Sequence, residues 1–185
     1  GYDSAMGKDR EGTPQRFSEL GDELGFDVQT GAPFELDGEP ISSTRIRAAI
    51  ASGDLATARR CLGRFPGALG EVIHGDARGR TMGFPTANVA LQTGALPPAG
   101  VYAVEAVVDG DTFAAVANLG ARPTFDDGEA SLEVHLLDFD GDLYGRELEV
   151  TFRQLLREQR CFDGPEDLKR QIAVDVTAAR TCLKA

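Results

Sequence analysis

The chain has 185 residues, a formal net charge of −11 and 42% hydrophobic residues. This length allows one domain, or one domain with a fragment of another, and the apolar content is enough for a packed core. The acidity argues against general affinity for nucleic acid, and the lack of an apolar run of membrane length argues against a membrane span. Three cysteines without paired spacing are typical of reduced thiols in a cytoplasmic protein.

The first quarter of the chain is predicted to be a helix followed by connecting segments. Residues 14–24 carry apolar side chains at helical spacing, and Gly25 can end that helix. Residues 26–28 are predicted to form a short strand. Residues 33–40 are predicted to be an extended connection with a turn at Asp37-Gly38.

Two short helices are predicted next. Ser42 or Ser43 can cap the first, and Asp54 can cap a second that ends at Leu62. Each element carries only a few apolar residues, so this first third is not expected to hold a core of its own.

From about Phe65 the pattern changes to short strands separated by turns. Strands are predicted at Val72-Ile73 and at residues 101–108, 112–119, 131–137 and 147–152. No helical run lies between them, which disfavours a parallel sheet. A helix after Pro165 has one apolar stripe. The sequence therefore predicts a small antiparallel β-barrel with a C-terminal helix packed on it.

Residues 70–88 change from a strand into a glycine-rich loop. The loop contains Gly75, Arg78, Gly79, Arg80 and Gly83. Its glycines allow the backbone to approach an anion, and its guanidinium groups attract phosphate. It has neither a Walker A pattern nor a Rossmann fingerprint. A glycine-rich hairpin with solvated arginines is the alternative.

The loop ends in Pro85-Thr86-Ala87-Asn88. Residues two apart in an extended chain face the same side, so the Thr86 hydroxyl and the Asn88 amide can lie together. Such oxygens can help to hold Mg²⁺ beside substrate phosphates. A polar turn without a ligand is the alternative.

A carboxylate and an imidazole share one face of the strand at residues 131–137. Glu133 and His135 alternate there with Leu132, Val134 and Leu136. The two polar side chains can act as an acid/base pair, or they can form a solvated strand face.

These segments resemble those of a known family. Residues 70–88, 132–139 and 142–145 resemble riboflavin kinase, and more closely the kinase module of the bacterial bifunctional riboflavin kinase/FAD synthetase. The resemblance covers about residues 60–185. It implies a six-stranded antiparallel Greek-key barrel with a terminal helix, a mainly β fold.

The resemblance also implies roles for single residues. Thr86 and Asn88 would be the Mg²⁺–nucleotide ligands, and Glu133 would be the general base for the riboflavin 5′-hydroxyl. His135 is interpreted as structural. The ATP side would comprise Gly75, Arg78, Gly79, Arg80, Gly83, Pro85, Thr86 and Asn88. The products would be FMN and ADP.

The flavin side is implied by two further segments. Residues 118–125 resemble the family's flap near the flavin, and residues 157–162 resemble the segment that enters the last helix. The flavin-side residues would be Asn118, Gly120, Arg157, Glu158 and Phe162. Cys161 stands where the family often has lysine, which departs from the pattern.

The N-terminal part resembles the adenylyltransferase domain of the bifunctional enzyme. Ser42-Ser43-Thr44, followed by Arg47, resembles its triphosphate-binding motif, but no His-x-Gly-His motif is present. Residues 1–58 are therefore interpreted as a remnant of a Rossmann-like domain with a linker, and residues 59–185 as the kinase domain. Exposed apolar surface on such a remnant predicts self-association.

Three functions follow as hypotheses. The first is Mg²⁺-dependent phosphorylation of riboflavin by ATP. The second is a non-catalytic flavin- or nucleotide-binding fragment. The third, FAD synthesis, is disfavoured by the missing histidines. The expected partners are riboflavin and ATP, with no nucleic acid and no membrane, and the expected compartment is the cytoplasm.

Overall fold

The computed structural model describes residues 5–75, 79, 83–93, 95–121 and 130–184. It divides into two compact units, Gly1–Ser43 and Thr44–Ala185. The domain boundary interpreted from the sequence, between residues 58 and 59, stays a prediction. No helix in the described ranges is long and apolar enough to cross a membrane.

The first unit contains the predicted helix, α1 (Pro14–Leu24), after a short 3₁₀ helix at Lys8–Arg10. The Thr13 hydroxyl caps α1 by accepting a hydrogen bond from the Arg16 N–H at 3.2 Å. Gly25 ends α1 in the left-handed region, at φ 76°. The predicted bounds of this helix are confirmed.

The predicted strand at residues 26–28 is wrong. The Phe26 N–H donates to the Gly21 carbonyl at 3.0 Å, so this segment completes the C-cap of α1 instead of joining a sheet.

Residues 33–40 hold a small hairpin where an extended connection was predicted. Strands β1 (Glu35–Leu36) and β2 (Glu39–Pro40) pair across Asp37-Gly38. Both turn residues have positive φ, 57° and 77°, as a two-residue hairpin turn requires. The predicted turn is thus confirmed, and its geometry brings the two flanking segments together.

The first unit leaves large apolar side chains in solvent. Leu24 is 71% exposed, Phe26 46% and Phe34 82%. Between residues 5 and 43 the only sheet described is the β1–β2 hairpin. The origin of this unit in a Rossmann-like domain and its self-association therefore stay predictions.

Helices α2 (Ser43–Ala51) and α3 (Leu55–Leu62) lead into the second unit. The Asp54 carboxylate caps α3 by accepting from the Thr57 N–H at 2.9 Å, as predicted. Leu55 is buried in the same cluster as the barrel interior. Helix α3 therefore joins the barrel core through Leu55, whereas Ala49 and Ile50 of α2 pack with Ala58 of α3 in a separate cluster.

A closed barrel of six strands forms the body of the second unit. The strands are β3 (Gly67–Ile73), β4 (Ala87–Thr93), β5 (Gly100–Val108), β6 (Asp111–Ala121), β7 (Ala130–Leu136) and β8 (Glu147–Arg157). Around the barrel their order is β3-β4-β7-β6-β5-β8, and every pair is antiparallel. Because β4 and β5 are not neighbours, the chain crosses the barrel as in a Greek key. The predicted fold is confirmed.

Strand β7 has the predicted alternation of inner and outer residues. Leu132, Val134 and Leu136 are buried in the barrel interior. Glu133 and His135 are only half-buried, on the outer face. This alternation places the candidate acid/base residues outside the barrel core.

Strand β5 is almost wholly buried because both of its faces are covered. Its inner face fills the barrel, and its outer face packs against α4 (Pro165–Leu183), the predicted C-terminal helix. In that outer cluster, Val101 and Ala103 pack with Ala179 of α4. A strand covered on both faces has a largely apolar sequence, and in β5 only Glu105 interrupts the apolar run.

Helix α4 is also held to the end of β7. The Arg180 guanidinium donates to both carboxylate oxygens of Asp138, at 2.6 and 2.7 Å. This hydrogen bond lowers the pKa of Asp138 from its ordinary value of 3.8. The pair is therefore intact at neutral pH and is lost only as the pH falls through that lowered pKa.

Candidate active site

A first cavity of about 520 Å³ opens at one end of the barrel. Its floor consists of inner-face side chains, Val72, Val134 and Leu136. Its rim consists of the turn at residues 139–144 and of the segment before and at the start of β4. The rim residues from that segment are Pro85, Thr86, Ala87 and Asn88. Gly75 also lines this cavity.

A second cavity, of about 410 Å³, lies between the outer barrel face and α4. Its apolar lining includes Val101, Val116, Leu168 and Ile172, with the rings of Phe84 and Phe162. Its polar lining includes Asn118, Glu133, His135, Arg157 and Gln159. Apolar walls with a few polar groups are the usual composition of a small-molecule site.

The two cavities meet at Thr86, which lines both. The pairing of neighbouring strands places further predicted site residues side by side near this junction. Asn88 of β4 is paired with Glu133 of β7, and Glu133 is paired with Asn118 of β6. Side chains directly opposite one another in adjacent strands share a face and lie about 5 Å apart at Cβ. The predicted metal ligands and the predicted base therefore belong to one site.

Two glycines of the predicted loop seat the side chains of Thr86 and Asn88. A Cβ atom on Gly75 would overlap the Asn88 amide. A Cβ atom on Gly79 would overlap the Phe84 carbonyl oxygen and would lie 3.3 Å from Thr86 Oγ1. Neither position allows a larger residue without moving a candidate ligand.

With a nucleotide held by Thr86 and Asn88, as the family resemblance implies, replacing Gly75 with alanine is expected to weaken its binding about tenfold or more, because the new methyl group must displace the Asn88 side chain. Calorimetric titration with Mg²⁺–ADP measures the effect. Gly31→Ala is the matched control, since a Cβ atom there meets nothing within 4 Å. Equal affinities in the two variants would contradict the seating of Asn88.

The donor set at this junction fits a magnesium ion. A hydroxyl and an amide carbonyl are neutral hard oxygen donors, and Mg²⁺ typically combines few such ligands with water and substrate phosphates. The described residues contain no cluster of three or more His, Cys, Asp or Glu side chains suited to a metal. Two neutral oxygen donors leave coordination positions that water and phosphate oxygens can fill.

The turn after β7 is part of the site, although it was not among the residues predicted from the sequence. The Tyr144 ring stacks on His74, with centroids 3.8 Å apart and planes at 26°. The Tyr144 N–H donates to Asp142 at 3.0 Å, and the Gly145 N–H donates to the Val72 carbonyl at 2.9 Å. The signal was present in the Asp142–Gly145 motif, which the sequence analysis used only for the family resemblance.

Not every predicted site residue lines a cavity. Asn118, Arg157 and Phe162 line the second cavity, but Gly120 and Glu158 line neither. Gly83 also lines neither cavity, while its φ of 87° suits a turn. Arg78, Arg80 and residues 122–125 of the predicted flap lie outside the described residues.

Gly120 instead leaves room for the side chain of Gln159. A Cβ atom there would come 2.7 Å from Nε2 of Gln159. The same Nε2 donates to Asn118 Oδ1 at 3.1 Å and to the Leu119 carbonyl at 3.0 Å. Gln159 therefore orients the Asn118 amide beside Glu133, a contact that the sequence analysis missed.

Arg157 is held by a buried carboxylate on α4. Asp175 is 4% exposed and accepts from Arg157 Nε at 3.0 Å and from Gln171 at 2.7 Å. Because Arg157 and Asp175 both line the second cavity, this ion pair fixes the cavity wall where β8 meets α4.

Replacing Asp175 with asparagine is expected to lower the free energy of unfolding by about 2 kcal/mol. This is less than the roughly 3–5 kcal/mol typical of a broken buried pair, because 19% of the Arg157 side chain remains exposed. Urea denaturation measures the change. Asp138→Asn, which breaks the exposed pair with Arg180, is the control and should lower the free energy of unfolding clearly less, because solvent screens that pair. A similar loss in both variants would contradict a special role for burial.

The fold and the site together define a class: a closed six-stranded antiparallel barrel with a small-molecule cavity under its C-terminal helix. Residues 62–183 match the family described as Flavokinase, riboflavin kinase. The chain belongs to the riboflavin kinase family, as its motifs had indicated.

Curated relatives match almost the whole chain. The bifunctional riboflavin kinase/FMN adenylyltransferase of Pseudomonas fluorescens is 47% identical over 181 residues, covering 97% of this chain and 58% of that protein. The enzyme of the same name from Escherichia coli strain K12 is 44% identical with the same coverage. The one from Bacillus subtilis strain 168 is 39% identical over 179 residues. The chain thus spans less than two thirds of the length of these relatives.

Solved structures are also similar. One of them is described as a macrolide-efflux protein from Streptococcus pneumoniae, with a TM-score of 0.83 and 36% sequence identity. The similarity covers 97% of this chain and 58% of that one. The fold described above is therefore shared with a longer chain.

Proposed function

We propose that this chain transfers the γ-phosphoryl group of ATP to the 5′-hydroxyl of riboflavin, giving FMN and ADP. The observation that carries the proposal is the junction of the two cavities. Thr86 lines both of them, and Glu133 in the second is paired with Asn88 at the rim of the first. Two substrates bound in the two cavities would meet at these side chains.

ATP is assigned to the cavity at the end of the barrel. The Tyr144 ring, which lines this cavity and stacks on His74, offers a flat surface for an adenine base. The triphosphate would then extend toward Thr86 and Asn88, where Gly75 lets the backbone come close.

Riboflavin is assigned to the cavity under α4. Val101, Val116 and Ile172 give apolar walls for the isoalloxazine ring. Polar groups gather at the end where Glu133 lies beside Asn118. The ribityl chain would follow these polar groups and bring its terminal hydroxyl to Glu133.

The chemistry at the junction is proton transfer followed by phosphoryl transfer. Glu133 takes the proton of the 5′-hydroxyl, and the resulting oxygen forms a bond to the γ-phosphorus as the bond to the ADP oxygen breaks. Such reactions depend mainly on alignment and charge stabilisation. The rigid pairing of β4, β7 and β6 around Glu133 supplies the alignment.

Thr86 Oγ1 and Asn88 Oδ1 would hold the magnesium ion of the nucleotide. When bound there, the ion would neutralise charge on the phosphate oxygens. The contribution of the protein is to present both oxygens on one side of an extended segment, with Gly75 and Gly79 behind them.

Incubation of the chain with riboflavin, ATP and Mg²⁺, followed by chromatography, tests the proposal. Equal amounts of FMN and ADP are expected. Riboflavin binding without FMN formation would favour the alternative, a non-catalytic flavin- or nucleotide-binding fragment. FAD is not expected, because neither His74 nor His135 has a partner at the spacing of a His-x-Gly-His motif.

A cytoplasmic location, where ATP is available and thiols stay reduced, suits the three free cysteines.

A further inference from the structure

His135 contacts the segment that carries the candidate magnesium ligands. Its Nδ1 atom lies 2.8 Å from the carbonyl oxygen of Pro85, the residue before Thr86. A carbonyl only accepts hydrogen bonds, so Nδ1 must carry the proton and donate. The two residues are 50 positions apart in sequence, and the contact therefore depends on the β4–β7 pairing.

The contact lies where the regular pairing of these strands ends. The last paired residues are Ala87 of β4 and Val134 of β7, and Thr86 has no strand partner among the described pairs. His135 is the next residue of β7. Its side chain binds the Pro85 carbonyl, which lies beyond the last backbone pair of the two strands. One imidazole thus extends the β4–β7 connection to the Pro85–Thr86 peptide.

The same imidazole also packs against Phe84. The two rings meet edge to face, with centroids 5.6 Å apart and planes at 86°. The Phe84 N–H donates to the Gly79 carbonyl at 2.9 Å. His135 therefore contacts both residues that precede Thr86, and through Phe84 it is connected to the glycine behind the Thr86 hydroxyl.

We propose that His135 is a positioning residue that fixes Thr86 at the junction of the two cavities. This inference rests on the proposed function, because it concerns the nucleotide side of that site. The Nδ1–H bond holds the Pro85 carbonyl, and the imidazole ring holds Phe84. Together they set the direction in which the Thr86 hydroxyl points. His135 needs no contact with the substrate for this role.

Three variants of the full chain separate the hydrogen bond from the packing. His135→Phe keeps an aromatic ring against Phe84 but removes the donor. His135→Asn places an amide N–H near the position of Nδ1. His135→Gln carries the same amide one bond further away. The donor at the correct reach is thus present only in the asparagine variant and in the native chain.

Calorimetric titration with Mn²⁺–ADP gives a readout that needs no catalysis. The phenylalanine and glutamine variants should bind it about tenfold more weakly than the native chain, the effect of one lost hydrogen bond. The asparagine variant should stay within about threefold. In FMN formation, KM for ATP should rise in the phenylalanine and glutamine variants and stay close to the native value in the asparagine variant.

Native-like Mn²⁺–ADP affinity in both the phenylalanine and glutamine variants would overturn the proposal. An equal loss of affinity in all three variants would also overturn it, since the donor would then be irrelevant. The melting temperature of each variant identifies any that fails to fold, and the glutamine–asparagine comparison then decides alone. If the native chain forms no FMN, the proposed function fails, while nucleotide binding still tests His135.

Discussion

Glu133→Gln is expected to lower kcat for FMN formation by about 10²- to 10⁴-fold, the usual contribution of a general base. Glutamine has the shape of glutamate but cannot take the proton of the riboflavin hydroxyl. Nucleotide binding should stay within about threefold of the native value, because an interaction used only in the transition state does not alter ground-state affinity. Steady-state kinetics and titration with Mg²⁺–ADP measure the two effects.

Glu149→Gln is the matched control for this variant. Glu149 lies on β8, also in the barrel, but it is solvent-exposed and lines neither cavity. Its replacement should leave kcat unchanged. Native activity in Glu133→Gln, or an equal loss in the control, would remove Glu133 from the role of base.

Thr86→Val is expected to lower kcat/KM for ATP by about 100-fold, as misplacement of a reacting group commonly does. Valine keeps the shape of threonine and removes only the hydroxyl, so the backbone before β4 is preserved. Because Thr86 lines both cavities, the loss should affect alignment of the phosphates as well as their binding. Activity measured over a range of Mg²⁺ concentrations should show a higher requirement for the ion.

Thr112→Val provides the comparison for a hydroxyl outside the site. Thr112 is exposed near the start of β6 and lines neither cavity. Its removal should alter neither kcat nor the magnesium requirement. An unchanged magnesium requirement in Thr86→Val would argue that the threonine hydroxyl does not hold the ion.

The barrel could be predicted from the sequence because its signals are local. The alternation of Leu132, Glu133 and Val134 depends only on the two-residue period of a strand. Asp109-Gly110 marks a hairpin turn by its own backbone preference, with φ 52° and 89°. The resemblance to riboflavin kinase then supplied the number of strands and their Greek-key order, which short-range patterns do not contain.

The missed parts of the site depend on contacts between distant segments. The Gln159 amide orients Asn118, 41 positions earlier in the chain. His135 binds the Pro85 carbonyl, and Tyr144 stacks on His74. No periodicity predicts such contacts, because each requires the strand order of the closed barrel. Residues 26–28 were wrongly predicted to form a strand for a related reason. Phe26 and Val28 alternate with Asp27 as in a strand, but the Phe26 N–H already donates to the Gly21 carbonyl in the cap of α1.

The assignment of the two cavities is tested most directly by a crystal structure of the chain with ADP, Mg²⁺ and riboflavin. We expect the adenine beside Tyr144 in the cavity at the barrel end, and the isoalloxazine ring between Val116 and Ile172 under α4. The riboflavin 5′-hydroxyl should then lie within hydrogen-bonding distance of Glu133. A flavin bound in the barrel-end cavity, or a hydroxyl directed away from Glu133, would contradict the proposed phosphoryl transfer at this junction.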